Sequence, residues 1–535
     1  MLTQRRSMRR HAIGTVRIPE CMTTSAKPLT LCLSGGGHRA TLFALGALLY
    51  LVDSGRNRSV DSIVSVSGGS ILNAFVAQEC DFQSVTPKDF DRIASSLVRT
   101  IVERGVLFSV WQTAAYLMLM AGLAGYLSLE AVFDWPLNLP WYGLLLGSLL
   151  LFGLFILRGM LLNQLLARRF FRPRGRASRV VDVASKVEHV FCATDLNSGS
   201  PFFVATSEGG KIVSAMGSAP TGDLKLHEAV RASAAFPGGL PPKRFAFHRY
   251  GLSWHEAIAG IEGWYVGMFR KPSGQRNILE RLVENIRSTK PRAIFLSDGG
   301  VWNNLATEWV LQNGRLSKPR NALVVDASAP MASRALHYLH VPFIAELGSI
   351  ARAMSILYWN TMEPRVRSLE SVAAGFLRWA SRPEPSVGTD ETDSHGVLPI
   401  VMRITEGRGQ LLNRYKRILR AVAVNIPEEL LPGGGRYRSI DEVWTQFWRE
   451  HRNEREPGEP GIRLMSSGVG TTLGRLEPRI AVWLMAHGYI NAMTCLHVYT
   501  DYPFGRLTGL QRFTRLLAER TTDHSPGFIS SDELL

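Results

Sequence analysis

The sequence predicts an α/β fold: a three-layer α/β/α sandwich around a mostly parallel central sheet, with a transmembrane helical hairpin inserted into it. Three observations carry this expectation. Short apolar runs alternate with helical periodicity. Three of those runs end in glycine-rich turns. The stretch 106–166 is nearly free of charge.

The alternation begins early. Leu29 to Leu33 reads as a strand, Arg39 to Leu51 as a helix, Ser62 to Val66 as a second strand and Ser70 to Gln78 as a second helix. Strands that alternate with helices pair in parallel, because the helix is the crossover. Beyond the apolar stretch, Val187 to Cys192, Phe202 to Thr206, Ala293 to Leu296 and Ala322 to Asp326 read as further strands. Ile278 to Ile286 and Ile344 to Tyr358 carry helical periodicity, whereas 383–396 and 452–461 read as loops.

The apolar stretch reads as two helices, out and back. No charge occurs from Val106 to Leu129 or from Trp135 to Leu157, and Glu130, Asp134, Pro136 and Pro140 mark the turn. About 20 apolar residues suffice for a helix to cross a bilayer. Trp111, Trp135, Trp141 and Tyr142 stand near the ends of the runs, where aromatic rings favour the interface. Arg158, Arg168, Arg169, Arg172, Arg174, Arg176 and Arg179 follow without an intervening acid. By the positive-inside rule both soluble parts lie in the cytoplasm, with the acidic turn outside. The expected location is a membrane, a bacterial inner membrane crossed more than once.

The same arginines account for much of the formal net charge of +16, which points to an anionic membrane surface. No aromatic-interleaved basic module accompanies them, so no nucleic acid is expected as a partner. The five cysteines form no CxxC pair, and His337 and His340 lack acidic companions at ligand spacing. Neither a metal nor another cofactor is expected.

Chemistry enters with three turns. Ser65-Val66-Ser67-Gly68-Gly69 joins a strand to a helix. A nucleophile elbow needs this context, because a sharp strained turn presents the serine Oγ at a helix N-terminus. Ser34-Gly35-Gly36-Gly37-His38-Arg39-Ala40 precedes it by one βα unit. Its bare backbone N–H groups suit an oxyanion. Ser297-Asp298-Gly299-Gly300 places a carboxylate at a strand end. Each alone is a common turn. Together they supply a nucleophile (Ser67), a base (Asp298), an oxyanion hole (Gly35, Gly36, Gly37 and Gly68) and a loop-supporting or substrate-binding arginine (Arg39).

In this order the three motifs resemble the patatin-like phospholipase family. Ala193 to Gly199, the segment Ala229 to Pro237 with Pro241 and Pro242, and the Asp298 to Asn304 run are similar to further family motifs. Thr471 to Ala492 resembles the C-terminal end of bacterial members. The resemblance covers roughly 29–86 and 185–310. It implies a serine lipid acyl hydrolase that works through a Ser67–Asp298 dyad without a catalytic histidine. Ser34, Ala40 and Ser65 depart from the common pattern, and Ser65 is the change expected to affect elbow geometry most. A lipid transacylase on the same dyad and an inactive membrane scaffold are the alternatives. The expected organisation is a basic tail (1–27), a first patatin-like part (28–105), the hairpin (106–166), a second patatin-like part (167–310), a helical or mixed extension (311–500) and a polar tail (501–535).

Overall fold

Five parallel strands form the centre of the sheet in the computed structural model. It describes residues 27–106, 111–133, 141–171, 179–237, 240–252, 293–312, 319–328, 342–380, 396–454, 466–500, 502, 504 and 510–518. The strands are β1 (Leu29–Leu33), β2 (Val60–Ser65), β3 (Glu188–Asp195), β9 (Arg320–Asp326) and β10 (Val397–Arg403), in the order β10-β9-β1-β2-β3. An antiparallel wing continues beyond β3 as β4 (Pro201–Ala205), β5 (Lys211–Ser214) and β6 (Gly217–Pro220).

Successive residues of the central strands enter different cores, because side chains alternate across a pleated strand. Leu31, Leu33 and Ile63 join one cluster, which includes helix α1 (Gly37–Asp53). Cys32, Val64 and Val66 join the other, with Leu305, Met362 and Val366. Helices thus cover both faces. Helix α1 is apolar all round and buried along nearly its whole length. It is covered in turn by a C-terminal helix, Pro478–Tyr499. The two approach backbone to backbone: a Cβ on Gly46 would overlap the Met485 carbonyl, and one on Gly488 would overlap that of Phe43.

Two further strands differ from the parallel pattern. β7 (Lys243–Phe245) pairs with β8 (Ile294–Asp298), and β8 runs antiparallel to the C-terminal end of β3. β2 leaves β3 at the pair Ser65–Phe191, and β8 takes over at Asp298–Ala193. β8 therefore occupies the edge of β3 that β2 has vacated.

After β2 come α2 (Gly68–Glu79) and α3 (Pro87–Arg99), then the hairpin α4 (Trp111–Phe133) and α5 (Trp141–Arg169). Helix α3 lies in the stretch between the second helix and the hairpin, for which the sequence reading assigned no element. Thr86 caps α3, accepting from the Asp89 N–H, and Pro87 opens its first turn. The hairpin helices are antiparallel. The Tyr116 hydroxyl donates to the Leu154 carbonyl at 2.7 Å, and the Leu127 side chain packs over Gly147. Their outer faces are open, with Leu146 69% and Phe152 62% exposed. The far end of α5 is different: Leu162, Leu165 and Leu166 are buried in the soluble core with Phe170 and Phe171. Only α5 is long and apolar enough to cross a membrane among the described residues, with mean hydropathy 2.2, and Met118–Val132 is a shorter apolar run.

The expected Ile344 to Tyr358 helix is part of α7 (Pro342–Ala380), which follows α6 (Leu226–Ser233) in this numbering. The expected helix at Ile278 to Ile286, His337 and His340, and most of the loops at 383–396 and 452–461 lie outside the described residues.

Candidate active site

Ser67 links β2 to α2 with φ 52° and ψ −116°. A non-glycine residue at positive φ is strained, and surrounding structure must hold it there. A buried polar network does so. The Ser67 N–H donates to Ser233 Oγ at 3.0 Å, and Ser233 Oγ donates to the Cys192 carbonyl at 2.6 Å. Ser65 Oγ donates to the Val190 carbonyl at 3.0 Å and accepts from Ser70 Oγ and from Asn73 Nδ2. Ser65, at the usual glycine position, thus ties the strand end to the base of the elbow. The Ala229 to Pro237 segment acts through Ser233, a role that its sequence alone did not reveal.

The glycines exist because neighbouring backbone fills the space a side chain would need. A Cβ on Gly68 would overlap the Gly37 carbonyl and lie 2.7 Å from the Gly37 nitrogen. The glycine loop after β1 is thereby pressed against the first turn of α2. Gly36 sits at φ 142° and Gly37 at φ 61°. Among the described residues, the N–H groups of Gly36, Gly37 and Gly68 have no hydrogen-bond partner. Gly35 differs: its N–H donates to the Asn304 carbonyl at 3.2 Å, and a Cβ there would lie 3.1 Å from Ser67 Cβ. Gly35 makes room for Ser67 and has no free donor.

Arg39 is fully buried. Its Nε donates to the Ala327 carbonyl at 2.9 Å and its guanidinium also bonds the Val469 carbonyl. Burial pushes its pKa down to about 10, against the pull of Asp326. Of the two roles expected for Arg39, these contacts fit support of the loop. His38 is buried, with Nδ1 2.8 Å from the Gly474 carbonyl, and burial lowers its pKa to about 4. The segment 466–476, within and before the stretch singled out in the sequence, braces this loop. The Thr472 carbonyl accepts from the His38 N–H at 2.9 Å, and the Leu473 carbonyl accepts from the Val106 N–H at 2.7 Å.

Asp298 ends β8 and is 2% exposed. Its Oδ1 accepts from the Gly300 N–H at 2.7 Å, and the Ser67 side chain is near enough to stabilise the charged carboxylate. Burial raises its pKa to about 6, and the Gly300 N–H and the neighbouring Ser67 side chain oppose the rise. The backbone is fixed from both sides: the Asp298 N–H donates to the Ala235 carbonyl at 3.0 Å, and its carbonyl accepts from Thr194 Oγ1 at 2.9 Å. Ser67 and Asp298 stand at the ends of β2 and β8, two strands that are not hydrogen-bonded to each other. The two strand ends are brought close because β2 and β8 use successive parts of one edge of β3.

Helix α7 closes the site. The Tyr358 ring stacks at a tilt on Phe236, 5.6 Å between centroids, and its edge lies against Gly300. Arg365 on the next turns bonds the Trp302 carbonyl at 2.5 Å and pairs with Glu308.

A family model described as patatin-like phospholipase matches residues 31–308, just over half of the chain. The chain belongs to the patatin-like phospholipase family. That family is one of lipid acyl hydrolases. The matched residues hold the three turns described above, and they also span the hairpin. Among solved structures, human GIVD cytosolic phospholipase A2 is similar at 12% identity and TM-score 0.30, over 59% of this chain and 50% of that one. VipD from Legionella pneumophila is similar at 10% identity and TM-score 0.24, over 92% and 90%. The chain thus spans about half the length of the cytosolic phospholipase. No curated protein matches it.

Proposed function

We propose that this patatin-like protein hydrolyses acyl esters of membrane lipids through a Ser67–Asp298 dyad. The observation that carries the reading is the strained Ser67 elbow next to a buried carboxylate of raised basicity, with the N–H groups of Gly36, Gly37 and Gly68 unpaired among the described residues. Ser67 Oγ attacks the ester carbonyl while Asp298 takes its proton. The N–H groups of Gly36, Gly37 and Gly68 receive the oxyanion, the largest single contribution expected in acyl transfer. Asp298 returns the proton to the leaving alcohol. A water, giving its proton to Asp298, then attacks the acyl-enzyme and frees Ser67.

The hairpin holds the enzyme at a membrane. Its outward leucines and phenylalanines have lipid as their natural neighbour, and Arg168 and Arg169 at the end of α5 suit an anionic headgroup layer. By the positive-inside rule, the arginine-rich sequence after the hairpin supports a cytoplasmic side for both soluble parts.

Ser67→Ala tests the reading. It removes the nucleophile, and a fall of roughly 10⁴-fold or more in lipid ester hydrolysis is expected. Labelling by a fluorophosphonate probe disappears with it, while membrane recovery is unchanged. Retained hydrolysis by Ser67→Ala would overturn the assignment.

A further inference from the structure

Tyr358 has no part in the mechanism above, yet it stands beside the base. Its ring atom Cε1 lies 2.6 Å, and Asp298 Oδ1 2.9 Å, from the point where a Cβ on Gly300 would sit. The Tyr358 hydroxyl is buried and has no hydrogen-bond partner among the described residues. A buried unpaired donor is costly, and one that persists beside a reactive carboxylate suggests a partner that arrives with the substrate. Burial and the neighbouring Asp298 charge both raise its pKa, so it keeps its proton at all working pH values.

Asp298 ends β8, which continues along the edge of β3 that β2 leaves, so the carboxylate stands beyond the elbow. The leaving oxygen must face Asp298, because that carboxylate returns the serine proton to it. We propose that the Tyr358 hydroxyl donates a hydrogen bond to the leaving-group oxygen of the ester. The Ser67 Oγ–carbon bond forms, the carbon–oxygen bond to the alcohol breaks, and the proton from Ser67 reaches the alcohol through Asp298. Tyr358 keeps its own proton throughout. This assignment rests on the dyad.

Tyr358→Phe tests it, since the ring retains its packing on Phe236 and Gly300. With alkyl esters, whose leaving alkoxides are strongly basic, kcat should fall about 10- to 100-fold with KM within twofold. With nitrophenyl esters, whose leaving group needs no help, the loss should shrink to under about threefold. The melting temperature should hold. An equal loss on both ester classes, or none on either, would overturn the proposal. So would a shift of the pH profile without dependence on the leaving group, which would mean that Tyr358 acts through Asp298 alone. Failure of the dyad reads out separately, as activity retained in Ser67→Ala.

Discussion

The glycines of the active site and those of the hairpin have the same chemistry and opposite surroundings. A side chain at Gly35, Gly37, Gly68 or Gly69 would run into fixed atoms, mostly backbone. At Gly122, Gly125 and Gly153 a Cβ would meet no protein atom within 4 Å. In the first region the protein supplies every neighbour. In the second it supplies almost none on the outer face, and leaves apolar side chains facing outward. The site is specified by close backbone approach, and the outer face of the hairpin by apolar character. Substitutions should therefore act strongly and locally in the first, and only through polarity in the second.

Gly68→Ala should have the largest effect in this comparison. It forces the Gly37 carbonyl away from the elbow, and a loss of roughly 10²- to 10³-fold in kcat is expected, as for removal of an oxyanion donor. Membrane recovery should be unchanged. Wild-type activity would mean that the two loops do not need this contact.

Asp298→Asn separates chemistry from stability. The amide cannot take the serine proton, so hydrolysis should fall nearly as far as in Ser67→Ala. The folded carboxyl has a pKa of about 6 against 3.8 when exposed. The folded state therefore holds more protons between these values, and wild-type stability falls as pH rises through about 6. The amide lacks this loss. Its melting temperature should match wild type near pH 4 and exceed it above pH 6, by up to about 3 kcal/mol in stability. A variant less stable than wild type at pH 7 would contradict burial as the cause of the raised pKa. Wild-type hydrolysis should decline as pH falls through about 6.

In the hairpin, Leu149→Arg places a charge on an open apolar face. A cost of about 2.5–3.5 kcal/mol for a charge at the centre of a span should appear as lost membrane recovery. Hydrolysis of a short-chain soluble ester should be unchanged. Gly153→Ala, at a position with free space, should alter neither property beyond about 0.5 kcal/mol. Strong loss of soluble-ester activity in either variant would show that the two regions are not independent.

The parts legible in the sequence were those fixed by local pattern. β1, α1, β2 and α2 lie within a few residues of the positions predicted, because alternation and turn chemistry act over short spans. The places of Ser67 and Asp298 at strand ends were legible because each strand runs into a glycine-rich turn. The route that brings those ends together was not, since it depends on β8 running antiparallel along β3. Ser233, Asn304 and the Thr472 carbonyl could not be assigned roles, because each acts across a long gap in sequence. Tyr358 sits in an ordinary amphipathic pattern, and only the packing of α7 over Gly300 sets it apart. The burial of Leu162, Leu165 and Leu166 also escaped the hydropathy pattern, which does not distinguish a leucine facing protein from one facing lipid.

That last feature has a mechanical meaning. Helix α5 runs unbroken from its open apolar part into the protein core, so no swivel separates the two. Each residue of an α-helix advances about 1.5 Å and turns about 100°. One residue inserted midway along α5 would raise the catalytic body by that step and rotate its mouth by more than a quarter turn. With the hairpin in a membrane as proposed, the catalytic body is set at one height and one heading, as a blade is set in a plane.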